Sequence, residues 1–222
     1  MEILKKVNRK IKSLSLKKIR FSDLQERKKV YLYAGDIPPM KEYSEYIGLS
    51  LKQWNKNHIK HDVLKKYPLK DNSIDRYQSE SVFEHICYEQ LPGVINEIYR
   101  VLKKGGLFRL CLPDYNCDIV YERSQKNEKG EIVFDPLGGG DLVDGKVING
   151  GHVWFPTYKK VKELLEKTDF KNITFLHYYE EKGKGITNKI DYSKGFVKRT
   201  PDNDNRVKDP YRPLTLVVDC LK

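Results

Sequence analysis

A helix that breaks into a strand within twenty-one residues, "INEIYRVLKKGGLFRLCLPDY" (95–115), constrains this chain more than any other feature. Leu91, Val94, Ile95, Ile98 and Leu102 recur at i, i+3, i+4, i+7 and i+11, so they share one apolar face of a helix. Lys103 and Lys104 fall in its last turn, where positive charge suits the negative end of the helix dipole. Gly105 or Gly106 then supplies a left-handed cap that other residues adopt at a cost of ~1 kcal/mol or more. "LFRLCLP" follows as a buried strand and delivers Pro113 and Asp114 to its carboxyl end. Strands alternating with helices in this way pair in parallel through right-handed crossovers.

The alternation extends in both directions. "KVYLYAG" (29–35), "YSEYIGLSL", "HIKHDV" and "SIDRYQSESV" read as four strands, with a polar helical stretch around Trp54 after the second. Downstream, "FPTYKKVKELLEKTDF" is a helix with Thr157 as N-cap and Tyr158, Val161, Leu164 and Leu165 inward. "KNITFLHYY" and "RPLTLVVDCLK" are two more strands, expected as an antiparallel pair at one edge. The expected fold is α/β, a Rossmann-like, doubly wound and mostly parallel seven-stranded sheet with an antiparallel C-terminal edge. Ligands of such sheets bind past the strand tips, here Gly35, Asp36, Ser50, Asp62, Ser79, Glu80, Pro113 and Asp114. A glycine-rich stretch at 125–151 reads as a hairpin insertion or lid, and 193–212 as a polar loop.

Charge narrows the class of partner. Of the net +11, residues 1–29 carry +8, from eleven Lys or Arg against Glu2, Asp23 and Glu26. There Ile3, Leu4, Val7, Ile11 and Leu14 recur at helical spacing, which sets off residues 1–28 as a basic helical segment before a domain at 29–222. Two readings stay open for it: a helix lying on an anionic membrane or a lipid-linked glycan, and one that docks on the domain with its lysines in water. Nucleic acid is the lesser expectation, because a nucleic-acid binder spreads its positive charge over the recognition face. With no membrane span and no signal peptide visible, the expected place is the cytoplasm, with peripheral membrane contact. The four cysteines are scattered without a CxxC pair, so free thiols are expected, and no metal site.

Taken in order, "IGLSL", "HDV", "PLKDNSIDRYQSESVFEHI", "INEIYRVLKKGG" and "FRLCLPD" resemble the class I S-adenosylmethionine-dependent methyltransferases, over about residues 29–115. "RTPDNDN" with "YRPLTLVVDCLK" is similar to the ending of relatives found among glycan-assembly enzymes. The resemblance implies S-adenosyl-L-methionine as cofactor. Gly35 matches the first glycine of the family's glycine-rich turn, and Ile37 stands where the next is expected. Ser50 replaces an acid that bonds the ribose hydroxyls. Asp62, with Val63 beside it, takes the place of the carboxylate that accepts from the adenine amino group, and Ser79 and Glu80 lie opposite the first turn.

Methyl transfer to an alcohol needs a base, because that proton is far from acidic. His85, Asp114 and His152 are the candidates, one of them being enough; a backbone-bonded His85, a packed His152 and an Asp114 that caps a helix at 115–124 remain open beside that role. Trp154 beside His152, and Arg199, Asp202, Asn203 and Arg206 in "RTPDNDNR", suit a hydroxyl-rich ligand. The expected activity is O-methylation of a sugar in glycan biosynthesis. RNA or protein methylation is the alternative suggested by charge, and a binding protein without catalysis the one suggested by Ile37 and Ser50.

Overall fold

A computed structural model of the protein describes residues 18–52, 56–181 and 183–222. The basic helix expected before residue 18 and the helical stretch around Trp54 lie outside the described residues. Of the basic segment, Ile19 and Leu24 are described and are buried in the main core. Among the described residues no helix is long and apolar enough to cross a membrane.

The chain order is β1 (Tyr31–Ala34), β2 (Tyr46–Ser50), β3 (His58–Lys60), β4 (Ile74–Glu80), α1 (Leu91–Val101), β5 (Leu102–Pro113) and α2 (Asp118–Arg123). Two small hairpins come next: β6 (Gln125–Lys126) with β7 (Ile132–Phe134), and β8 (Asp141–Val143) with β9 (Lys146–Ile148). Helix α3 (Tyr158–Glu166), β10 (Asn172–Tyr179), β11 (Gly185–Thr187) and β12 (Thr215–Leu221) complete it. One eight-stranded sheet runs β11-β10-β12-β5-β4-β1-β2-β3. Its β3-to-β5 half is parallel, while β12 is antiparallel to both β5 and β10. The strand beyond the seven expected is β11, three residues that pair with the end of β10.

Pleating sends alternate side chains to opposite faces of the sheet. On one face Leu32, Tyr77, Phe108, Leu110, Leu112, Leu216 and Val218 meet the apolar stripes of α1 and α3. Helix α1 buries Leu91, Val94, Ile95, Ile98 and Val101, worth about 2 kcal/mol each in area removed from water. Thr157 caps α3, as its position predicts, by accepting the Lys160 N–H.

The other face carries a buried polar layer that hydrophobic patterning does not reveal. Tyr43 donates to Glu80 Oε1 at 2.8 Å, and Gln78 donates to the same oxygen at 2.7 Å. Arg109, wholly buried, forms a fork with Asp219 at 2.7 Å for both bonds and also donates to the Asp191 and Gly195 carbonyls. The 193–212 loop lies over this face, held by the Gln78 amide bond to the Phe196 carbonyl at 2.6 Å.

The opening stretch folds differently from its periodicity. Helix α1 stops at Val101, and Leu102 is already extended and paired with Ile74. Lys103 and Lys104 therefore begin β5, where the Lys103 ammonium bonds both oxygens of Asp75 at 2.8 and 2.9 Å. The glycines do not cap the helix. Gly105 donates to the Lys222 carbonyl, and Lys222 donates back to Gly106. Pairing with β4 and the chain's end satisfies these backbone groups as well as another helical turn would.

Candidate active site

The parallel strands end at one edge, and two cavities open there. The first, of about 580 Å³, is lined by Gly35, Asp36, Leu49, Ser50, Asp62, Val63, Ser81, Val82, His85 and Ile86 among others. It sits past the tips of β1, β2 and β3 and reaches Ser81 and Val82 after β4, across the β1–β4 boundary where strand order reverses. Gly35 has a φ of +84°, and a Cβ there would come within 3.1 Å of the Val82 side chain. Ile37 does not enter this cavity: its side chain joins the Tyr33, Tyr43 and Tyr46 cluster on the far face. Its N–H donates to Nε2 of buried His58 at 3.0 Å, so the turn is braced from outside by an imidazole. Burial lowers the His58 pKa, which favours the neutral ring this bond needs. Asp62 Oδ1 accepts the Leu64 N–H at 3.0 Å, and the Ser50 hydroxyl is spent on the Lys52 carbonyl at 2.5 Å.

The second cavity, of about 300 Å³, is lined by Ser81, His85, Pro113, Arg123, Leu137, Gly138, His152, Arg199 and Arg206 among others. Ser81 and His85 line both, so one wall separates the two spaces. His85 Nδ1 lies 2.9 Å from the Gly150 carbonyl, which can only accept, so Nδ1 carries the proton and Nε2 a lone pair. The His85 and His152 rings meet edge to face at 4.6 Å.

His152 is held from behind. Tyr115 donates its hydroxyl proton to Asp135 at 2.9 Å, and so accepts from Nδ1–H of His152. Burial would raise the Asp135 pKa, but the Arg123 bond at 2.6 Å and the Tyr115 bond outweigh it and hold this carboxyl below its ordinary value. Burial first, then the neighbouring His85, lower the His152 pKa to about 4, so the ring is neutral. Gly138 leaves room for it: a Cβ at that position would stand 2.7 Å from the ring. Glu84 faces this ring, with Oε1 3.6 Å from Nε2. It is wholly buried, no other described side chain or backbone group bonds its carboxylate, and burial pushes its pKa to about 8.

Of the cofactor residues expected from sequence, Gly35, Ser50, Asp62 and Val63 come together in the first cavity. Ser79 and Glu80 do not. Ser79 is buried within β4, and Glu80 turns into the tyrosine layer; the positive φ of Ser81 (54°) reverses the chain so that Ser81 and Val82 line the cavity instead. Of the three base candidates, His85 and His152 meet and Asp114 stands apart. Asp114 is buried, accepts the Tyr179 and Asn116 N–H groups at 2.9 and 3.0 Å, and is pushed to about 6 by burial. Nor does it cap a helix, since α2 starts four residues later, at Asp118, with Cys117 at its N-cap.

Arg199 and Arg206 reach the second cavity, but three expected neighbours do not. Trp154 is buried in the main core and donates to the Phe83 carbonyl at 2.9 Å, so it supports the 83–85 turn rather than gripping a ligand. Asp202 accepts from Tyr192 and Tyr211 at 2.6 and 2.7 Å, and the Asn203 amide bonds the Val197 carbonyl, both shaping the loop from outside. Sequence patterning does not single out Tyr115, Arg123 and Asp135; the glycine pair before His152, which lets two loops meet, is the one signal nearby. The four cysteines are free, with Cys87 exposed and the other three buried.

Residues 37–110 match a family described as Methyltransferase domain. No curated protein matches the sequence. Among solved structures, the chain is similar to a SAM-dependent methyltransferase from Archaeoglobus fulgidus, at 16% identity and a TM-score of 0.51, over 91% of this chain and 90% of that one. It is similar also to a SAM-dependent methyltransferase from Thermotoga maritima, at 15% identity and a TM-score of 0.53, over 88% and 83% of the two chains. The fold is thus that of the class I S-adenosylmethionine-dependent methyltransferases, and the stretch from β1 to β5 is where the sequence itself is similar to a methyltransferase domain.

Proposed function

We propose that this chain transfers the methyl group of S-adenosylmethionine to a hydroxyl of a small, acidic, sugar-like acceptor in glycan assembly. The observation that carries the proposal is the shared wall: a cofactor-sized cleft and a smaller basic cavity meet at Ser81 and His85.

The first cavity fits the cofactor. Apolar Leu49, Val63, Val82 and Ile86 suit a purine, and Asp62 presents a carboxylate at the rim for its amino group. The bare backbone at Gly35 leaves space under the amino-acid end. With the Ser50 hydroxyl committed to Lys52, Asp36 is the acid in that lining left to meet the ribose. S-adenosylmethionine supplies a methyl group that its sulfonium has already activated for in-line displacement.

The chain's own work is to hold the acceptor in line and manage its proton. His85 and His152 meet the hydroxyl at the shared wall and lower the cost of ionising it. Arg123 and Arg206 are paired with Asp135 and Asp204, whereas Arg199 bonds the neutral Ser81 hydroxyl at 3.1 Å. Arg199 is therefore the guanidinium placed to take a carboxylate or phosphate of the acceptor. An RNA or protein acceptor would have to reach His85 through the same confined space, which favours a small one. The +8 of residues 1–29 would draw the enzyme to anionic membranes that bear lipid-linked acceptors, which sedimentation with anionic vesicles measures.

The test is transfer of labelled methyl from S-adenosylmethionine to a panel of sugars, beside calorimetric titration with S-adenosylhomocysteine. Uronic acids and sugar phosphates should accept, and neutral hexoses should not. Equal transfer to neutral sugars would remove the acidic acceptor. Absence of heat at millimolar S-adenosylhomocysteine would remove the enzyme.

A further inference from the structure

Glu84, His85 and His152 each offer one ligand atom, and these atoms lie within 4.8 Å of one another. All three groups present lone pairs. His85 commits Nδ1–H to the Gly150 carbonyl, and His152 commits Nδ1–H to Tyr115, which leaves both rings with a bare Nε2. Both oxygens of Glu84 are buried without a hydrogen-bond partner among the described residues, and Oε1 is 3.6 Å from His152 Nε2. With Glu84 ionised, three acceptors converge with no donor between them. Burying a carboxylate in this way is unfavourable unless a proton or a cation meets it.

The surroundings hold these groups in place. The Val153 N–H donates to the Glu84 carbonyl at 2.9 Å and the Trp154 indole to that of Phe83, so the 152–154 segment is tied to the 83–85 turn. Behind His152 stand Tyr115, Asp135 and Arg123, a chain that orients the ring and fixes its tautomer. Carboxylates and carbonyls behind histidines are the usual outer support of metal ligands. We propose that Glu84, His85 and His152 bind a divalent first-row metal ion, of the Mn²⁺ or Zn²⁺ class, in the wall between the two cavities. Two imidazoles and one carboxylate suit that class better than Ca²⁺ or Mg²⁺, which take oxygen ligands.

The site rests on the methyltransferase reading for its purpose, not for its existence. Three protein ligands leave room for an oxygen of the acceptor. A hydroxyl bound there loses its proton to solvent water near neutral pH. Its oxygen then forms the bond to the methyl carbon as the carbon–sulfur bond breaks, and the sulfonium becomes a neutral sulfide. The histidine pair lowers the cost of ionisation by holding the cation.

The full chain, stripped with chelator and dialysed, is titrated with MnCl₂ while free Mn²⁺ is counted by electron paramagnetic resonance; a second titration uses S-adenosylhomocysteine. One Mn²⁺ per chain should bind, weakened at least about tenfold in both Glu84→Gln and His152→Ala. Cys87→Ser should bind as the parent does, since its thiol lies outside the cluster. Glu84→Gln keeps the side chain's shape, and its thermal midpoint checks that the fold survives. Absence of saturable Mn²⁺ binding, or equal binding by folded Glu84→Gln, overturns the metal site. S-adenosylhomocysteine binding without Mn²⁺ binding would leave the methyltransferase reading standing alone, and Mn²⁺ binding without it would do the reverse.

Discussion

The two cavities are built on different principles. The cofactor cleft is made mostly by backbone: the paired tips of β1, β2 and β3 bring Gly35, Ser50 and Asp62 to one edge. The acceptor cavity is made by side chains from four separate stretches, around residues 81–85, 113–123, 137–152 and 199–215, joined by hydrogen bonds such as Tyr115 to Asp135 and Arg123 to Asp135. A site framed by a sheet tolerates changes in its side chains, as Ile37 shows by leaving the turn open and packing elsewhere. A site framed by a polar network depends on each member, because a buried group that loses its partner bears the full desolvation penalty. Substitutions should therefore separate the two halves cleanly.

The largest effect is expected where the halves meet. His85→Ala should lower kcat by about 10²- to 10⁴-fold while S-adenosylhomocysteine affinity changes little, measured by single-turnover transfer and calorimetry. A loss of affinity as large as the loss of rate would erase the distinction between the cavities.

Next in size is a pH effect at Asp114, the corner under the acceptor half. Burial holds its folded pKa near 6, above its ordinary 3.8, so the folded state keeps the proton more tightly than the unfolded one. This contribution to stability is complete below about pH 4 and is lost as pH rises through 6, by on the order of 2–3 kcal/mol. Asp114→Asn, which cannot ionise, should gain on the parent between pH 4 and 7 in urea titrations. A gap that stays constant with pH would contradict the assignment.

Arg199→Ala should raise the KM for an acidic acceptor about tenfold or more and leave cofactor binding alone, as expected for one lost charge-assisted bond. Asp62→Ala should do the opposite to a smaller extent, weakening S-adenosylhomocysteine by about threefold to tenfold with the acceptor KM unchanged.

The same division explains what was legible in the sequence. Strand tips are read from local patterning, so Gly35, Ser50 and Asp62 are found together, and the family resemblance adds Val63. Where a chain turns just past a tip, patterning fails by a residue or two: Ser79 and Glu80 stay in the strand, and Ser81 and Val82 face the cleft. The helix end at Val101 fails similarly, because pairing with Ile74 overrides the periodicity that carries through Leu102. The acceptor half is assembled from residues more than a hundred positions apart, as in the Arg199 bond to Ser81. Trp154 reads as a ligand platform by its neighbours in sequence, yet the core claims it, because an indole that can donate to the Phe83 carbonyl is best satisfied when buried. The fork of Arg109 with Asp219 is equally silent in sequence, since only strand pairing sets the two opposite each other.

The most direct measurement is a crystal structure of the chain with S-adenosylhomocysteine. The sulfur should lie at the wall that Ser81 and His85 share, with the adenine beside Asp62 and the second cavity still open on the other side of His85. A nucleoside found in the basic cavity, or a ligand whose sulfur points away from His85, would contradict the placement of the reaction at that wall.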